Sequence, residues 1–213
     1  EPPHYVRGAH AQRVEQALRA ALPQAFTAPA LPRPGELVLT VIAAPGDPWL
    51  LGLHRHHAAR CPHPGGRLPI EVPAESPSRA YAKIEEAIAH FELPFRAGDV
   101  ALEIGASPGG ASYALLRRGV QVIGVDPAAM DASVLSFTGP SGARLTHHAI
   151  PVASLTRAML PPRVDWLLLD VHLAPQVALR AARRVASWLR KDLLGAVLTL
   201  KLNDWAFAED VDS

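Results

Sequence analysis

The 213-residue chain has a single cysteine, Cys61, so no disulfide can form within it, which fits a reducing compartment. No apolar run approaches the roughly 18 residues that a membrane-spanning helix requires. The opening text EPPHYVRGAH lacks the basic-then-apolar layout of a secretory signal. Together these absences lead us to expect a cytoplasmic protein. A strong charge of either sign is also missing. The net charge of +1 neither demands nor excludes nucleic acid, because cations can cluster into a phosphate-binding face on a nearly neutral protein. Lysine is scarce: among 21 basic residues the only lysines are Lys83, Lys191 and Lys201. What the chain does have is apolar material, 49% of its residues against 19% charged, enough for one large domain or two unequal ones.

Val14, Leu18 and Leu22 recur at helical spacing over Ala11 to Leu22, and Pro23 ends that stretch. ELVLTVIA and WLLGLHRH read as two strands joined by the turn APGDP, giving residues 1–60 the look of a small α+β module. The proline-rich text from Cys61 to Pro77 reads as a linker. Residues 78–213 then form a second domain. Ser76 followed by Pro77 predicts a helix start, with Tyr81, Ile84, Ile88 and Phe91 on one face. Apolar strands at Val100 to Ile104, Val120 to Val125, Trp166 to Leu169 and Ala196 to Leu200 alternate with helical stretches at Ala111 to Arg118 and Val177 to Arg190. Such alternation predicts an α/β fold with a doubly wound, mostly parallel, Rossmann-like sheet.

In that architecture a ligand sits at the carboxyl ends of the strands, where LEIGASPGG places Gly105 to Gly110. Gly105 suits a tight turn, while Gly109 and Gly110 allow backbone to approach a ligand and the next strand. Asp126 follows Gly105 by 21 residues, the spacing from which a carboxylate accepts bonds from ribose hydroxyls. The turn is not G-x-G-x-x-G. Pro108 removes an amide that a pyrophosphate would want, and Glu103 brings negative charge just before the turn. Both features favour an adenosine ligand with a cationic portion, such as S-adenosylmethionine, over a dinucleotide.

Arginine keeps its proton in proteins, whereas lysine can be tuned. Lys83 lies in the first turns of the helix entering the second domain, Asp170 ends the strand WLLLD, and Lys201 ends the strand AVLTLK. All three therefore point to the same rim as the Gly105 turn. A Lys, Asp, Lys cluster can orient and deprotonate a hydroxyl, Asp170 holding one ammonium while the second lysine lowers its neighbour's pKa. The chemistry expected is methyl transfer to oxygen.

The segments PSRAYAKIEEA, GDVALEIGASPGG, VDWLLLDVH and LTLKLND, in this order, resemble the FtsJ-type ribose 2′-O-methyltransferases with their Lys-Asp-Lys-Glu tetrad. The linker GRLPIEVPAESPSRAYAKIEEA is especially similar to the branch acting on cytidine of bacterial large-subunit ribosomal RNA, which carries an RNA-binding THUMP domain ahead of its catalytic domain. The likeness spans roughly Trp49 to Asn203. It implies an enzyme that methylates a ribose of RNA, ribosomal RNA in the first place, with no metal expected, with Lys83, Asp170 and Lys201 in the first three tetrad positions and Lys201 as base. It also implies that Gly105, Ser107, Pro108, Gly109, Gly110, Asp126 and His148 surround S-adenosylmethionine. Three positions depart from the family pattern. The tetrad glutamate, expected on a late strand well beyond the second lysine, is not found up to Ser213, and Glu209 lies too near Lys201 to serve; either the last strands are missing from this sequence or the protein is a degenerate relative. His148 stands where an adenine-side aspartate is expected, and Ala111 replaces an aromatic residue after the paired glycines.

Other groupings carry weaker signals. His54, His56, His57, Cys61 and His63 lie within ten residues, but their spacing fits no familiar zinc pattern. With Arg55, Arg60 and Arg67 that loop could touch RNA phosphate. Arg180, Arg183, Arg184, Arg190 and Lys191 form a basic helical run, more readily a solvated face than an RNA contact, and Trp205 could stack on a base or simply pack. Two other functions stay open: a catalytically weak relative that binds RNA, favoured by His148 and the absent glutamate, and a nicotinamide oxidoreductase, opposed by the poor glycine pattern.

Overall fold

The structure is a computed structural model that describes residues 9–23, 31–44, 46–63, 66, 68–189, 191 and 193–201. It divides into two compact units, Glu1–Pro69 and Ile70–Ser213. Arg67, Arg190, Trp205 and Glu209 lie outside the described residues.

The first unit contains helix α1 (Ala9–Ala21), whose buried residue is Val14. Strands β1 (Leu37–Ile42) and β2 (Leu50–Arg55) pair antiparallel, with Leu39 opposite Leu53 and Val41 opposite Leu51. Opposed residues share a face of a two-stranded ribbon. Leu39, Leu51 and Leu53 therefore share one, and all three are exposed.

The second unit begins with α2 (Ala80–Phe91). Its start is later than Ser76 and Pro77 suggest. The Ser76 hydroxyl donates to the Ser78 carbonyl at 3.0 Å, and the Ser78 hydroxyl accepts from the Ala80 N–H at 3.3 Å. These local serine bonds satisfy the backbone in a turn and postpone the helix. Tyr81 and Ile84 are buried as the spacing requires, whereas Phe91 is exposed.

Five parallel strands follow: β3 (Val100–Ile104), β4 (Gln121–Val125), β5 (Leu145–His148), β6 (Trp166–Asp170) and β7 (Gly195–Thr199). They lie in the order β5-β4-β3-β6-β7. Helix α3 (Gly110–Arg117) joins β3 to β4, the short α4 (Ala132–Ser136) lies between β4 and β5, and α5 (Pro175–Leu189) joins β6 to β7. The chain runs outward from β3 in one direction and restarts at β6 in the other, which is the doubly wound, Rossmann-like pattern.

Strand alternation sorts the core into two layers. Ala101, Val122, Trp166, Leu168 and Val197 pack with Tyr81 and Ile84 of α2 and with Ala114, Leu115 and Leu116 of α3. Leu102, Ile104, Val125, Leu167 and Leu169 pack with Ala178, Ala182, Val185 and Leu189 of α5. Helix α3 is buried on every side from Gly110 to Leu116. Hence its residues are small or apolar all round rather than striped. At the amino-terminal edge, Asp99 accepts from the Trp166 indole at 2.9 Å and Asp165 accepts from the Val100 amide at 2.8 Å. These buried carboxylates tie the starts of β3 and β6 together, fixing how their other ends meet.

Candidate active site

The strand order reverses between β3 and β6, so the crevice for a ligand lies beyond their carboxyl ends. Gly105 follows β3 and Asp170 ends β6 at this point. Gly105 has φ +83°, and a Cβ there would overlap the Asp170 carbonyl oxygen. The glycine thus lets two neighbouring strand ends touch. Gly110 plays a comparable part elsewhere: a Cβ on it would strike the Ser78 hydroxyl and come within 2.9 Å of the Tyr81 amide. Gly109, at φ +115°, leaves Met130 and Val134 at contact distance from where its Cβ would stand. Gly105 and Gly110 are required by neighbouring backbone and Gly109 by its positive φ, where the sequence suggested in part an approach to ligand.

Alternation explains the next layer of the site. Residues 166, 168 and 170 of β6 and 195, 197 and 199 of β7 are paired in register, so Asp170 and Thr199 face the side covered by α2. Lys201 continues the same parity, and Lys83 reaches across from α2. Lys83 Nζ donates to Asp170 Oδ2 at 2.7 Å and Lys201 Nζ donates to Oδ1 at 2.5 Å. One carboxylate therefore holds both ammonium groups, one on each oxygen. Lys83 is 49% exposed and Lys201 only 17%, which makes Lys201 the lysine shielded from water.

The electrostatics differ from the sequence expectation at Lys201. Burial is the largest influence on it and lowers its pKa, but the bond to Asp170, the Lys83 contact and the Asp170 charge together outweigh it. The net direction is above the usual 10.5, so Lys83 does not depress its neighbour. For Asp170 burial again acts most strongly, upward, yet the bonds and charges of Lys201 and Lys83 prevail and hold it below the ordinary carboxylate value. Asp170 is thus the ionised hub of the cluster.

Glu103 also departs from expectation. Only 3% exposed, it bonds the Ser112 hydroxyl at 2.5 Å. Its pKa is pushed up to about 8, by burial first and by the Asp170 and Asp126 charges as well, with the Ser112 bond opposing. Near neutral pH this favours its neutral acid form, where the sequence suggested a negative charge.

The loops after β3 and β4 are laced together. Asp126 accepts from the Ser107 amide at 3.2 Å and from the Ala128 amide at 2.8 Å. The Ser107 hydroxyl donates to the Ala129 carbonyl at 2.8 Å, and the Pro108 carbonyl accepts from the Asp131 amide at 3.0 Å. Ser107, Pro108, Gly109 and Asp126 are thereby gathered at one rim with Gly105. His148 ends β5, and its carbonyl accepts from the Asp126 amide at 3.2 Å. The neighbouring His147, which sequence reasoning passed over, sets its Nε2 2.9 Å from the Asp126 carbonyl. Ser112 was also passed over, although a serine inside an apolar helix facing an acid-bearing strand was a readable signal. Among the described residues no group of three or more His, Cys, Asp or Glu side chains is arranged to hold a metal.

Residues 77–189 match the family described as FtsJ-like methyltransferase. The chain belongs to the FtsJ-like methyltransferase family. The matched span of this FtsJ-like chain contains Lys83, Gly105, Asp126, His148 and Asp170. Three curated relatives are each named ribosomal RNA large subunit methyltransferase M. That of Histophilus somni strain 2336 is 37% identical over 131 residues, covering 57% of this chain and 33% of the relative. The Marinomonas sp. MWYL1 protein is 32% identical over 164 residues, 73% of this chain and 44% of its own. The Pseudomonas syringae pv. syringae B728a protein is 34% identical over 200 residues, 90% and 52% respectively. The chain thus spans between a third and about half the length of these relatives. No helix among the described residues is long and apolar enough to cross a membrane.

Proposed function

We propose that this chain carries the catalytic region of an S-adenosylmethionine-dependent RNA ribose 2′-O-methyltransferase acting on large-subunit ribosomal RNA, as its relatives' names suggest. The observation that carries the reading is the Lys83–Asp170–Lys201 cluster at the strand switch point. The residues fit the cofactor: each Asp126 oxygen takes one backbone amide and keeps acceptor capacity for a ribose hydroxyl. When bound, S-adenosylmethionine supplies a methyl group on a positively charged sulfur. Lys201 Nζ, once neutral, takes the proton of a ribose 2′-hydroxyl, and Asp170 holds the resulting ammonium. Lys83 occupies the second oxygen of Asp170 and keeps its carboxylate from turning away. Gly105, Ser107, Pro108, Gly109, Gly110, Asp126 and His148 form the cofactor side of the site. The amino-terminal module, residues 1–60 followed by the 61–77 linker, serves as a THUMP-like RNA-binding module, and the protein works in the cytoplasm.

The deciding experiment incubates the protein with methyl-labelled S-adenosylmethionine and either ribosomal RNA or the large ribosomal particle, then locates the label. A 2′-O-methyl nucleotide is the expected product. Cofactor binding without transfer would favour an RNA-binding relative with lost turnover. A thermal midpoint raised by a nicotinamide dinucleotide but not by S-adenosylhomocysteine would overturn the methyltransferase reading.

A further inference from the structure

Glu103 is a fully buried acid for which the chemistry above has no use. Alternation along β3, β6 and β7 sets it on the same face of the sheet as Asp170 and Thr199. With Lys83, Ala111, Asp170 and Thr199 it lines a small cavity of about 30 Å³ under the catalytic cluster, room enough for a water molecule. The groups around it are Lys83 from α2, Ser112 from α3, Asp126 after β4, Asp170 on β6 and Thr199 on β7.

We propose that Glu103 is a positioning residue for the Lys83–Asp170–Lys201 cluster, kept as a neutral acid beside Asp170 so that both lysines are committed to Asp170 alone. Two carboxyl groups lining one confined site do not both ionise readily. Asp170 has an ammonium on each oxygen and takes the charge, while Glu103, fully buried and without a cation on either oxygen in the described contacts, takes the proton although the Ser112 hydroxyl donates to it. Its pKa of about 8 agrees with that division, and the Asp170 charge is one of its causes. Were Glu103 ionised, its charge would compete for Lys83 and tighten the hold of Lys201 on its proton, leaving less free base. The part played in methyl transfer rests on the function proposed above; the charge state of Glu103 does not.

The test has one readout that needs no activity. The full chain labelled with carbon-13 at glutamate side-chain carboxyls is titrated by NMR, with the Glu103 signal assigned by its loss in Glu103→Gln. The expected midpoint is near 8, falling by about one unit or more in Asp170→Asn, because a neighbouring like charge has been removed. A midpoint in the ordinary glutamate range, or one that Asp170→Asn leaves in place, overturns the proposal. The second readout compares methyl transfer by Glu103→Gln and wild type. The rate ratio of variant to wild type should rise several-fold between about pH 7 and about pH 9, as wild-type Glu103 ionises and the glutamine stays neutral. A merely structural role would give a ratio independent of pH and would sink the positioning role. If the wild type transfers no methyl at any pH, the proposed function fails, and the titration alone decides the state of Glu103.

Discussion

Gly105 and Asp170 meet so closely that a Cβ on the glycine would fall on the Asp170 carbonyl oxygen and within 2.9 Å of its carbonyl carbon. The cluster of two lysines around Asp170 therefore depends on a residue with no side chain one strand away. Gly105 also has φ +83°, a conformation that alanine adopts only under strain. Gly105→Ala should destabilise the fold by about 1–3 kcal/mol, displace Asp170 and reduce activity. Chemical denaturation and a methyl-transfer assay check both effects. Unchanged stability would show that β3 and β6 can separate freely at this end.

Lys201→Ala should abolish methyl transfer, a loss of at least about a hundredfold, with cofactor affinity kept within a few-fold. Lys201→Arg should not rescue it, because a guanidinium does not give up its proton near neutral pH. In wild type the Asp170 bond keeps Lys201 protonated past its ordinary 10.5. The neutral fraction, and with it kcat/KM, should therefore grow about tenfold per pH unit between about pH 6 and about pH 8. A flat profile would remove Lys201 as the base.

Asp126 joins the two loops at the rim through the Ser107 and Ala128 amides. Asp126→Ala should raise the dissociation constant for S-adenosylhomocysteine by about tenfold or more, the usual effect of losing hydrogen bonds to a charged acceptor. Calorimetric titration measures it. Asp126→Asn, which keeps one carbonyl acceptor, should fall between the alanine variant and wild type.

Glu103 should make stability depend on pH in a definite direction. Its folded pKa of about 8 lies above its ordinary 4.5. Between these values the unfolded chain releases the proton while the folded chain retains it, so stability falls as pH rises. The penalty is absent below the lower value and levels off above the higher one. Glu103→Gln should thus gain thermal midpoint over wild type from about pH 5 to about pH 8. A constant difference across that window would place the glutamate in an ordinary, ionised environment.

The central strands were legible in the sequence because strands buried on both faces are made of apolar residues, as Trp166 to Leu169 are and as Val100 to Ile104 is apart from Glu103. The rim residues were legible for a related reason: Asp170 and Lys201 are polar residues placed where apolar strands end. Strand β5 was less visible, since its Thr-His-His text carries little strand character and is half exposed at the sheet edge. The start of α2 was misplaced because the Ser78 hydroxyl, rather than Ser76, meets the Ala80 amide.

The sequence by itself determined the strands of the sheet other than β5, where the glycine turn falls, and which three residues stand at the rim, since these follow from local periodicity and from the order of residues along the chain. Only the tertiary structure decided their charge states and the purpose of the glycines. Lys201 is raised rather than lowered because both lysines converge on one carboxylate. Glu103 is neutral because burial within the folded sheet, and then the charges of Asp170 and Asp126, disfavour its ionised form more than the bond from Ser112 favours it. Gly110 is needed because α2 begins against it. Each depends on desolvation and contact between segments distant in the chain, and those are set only when the sheet and its helices assemble.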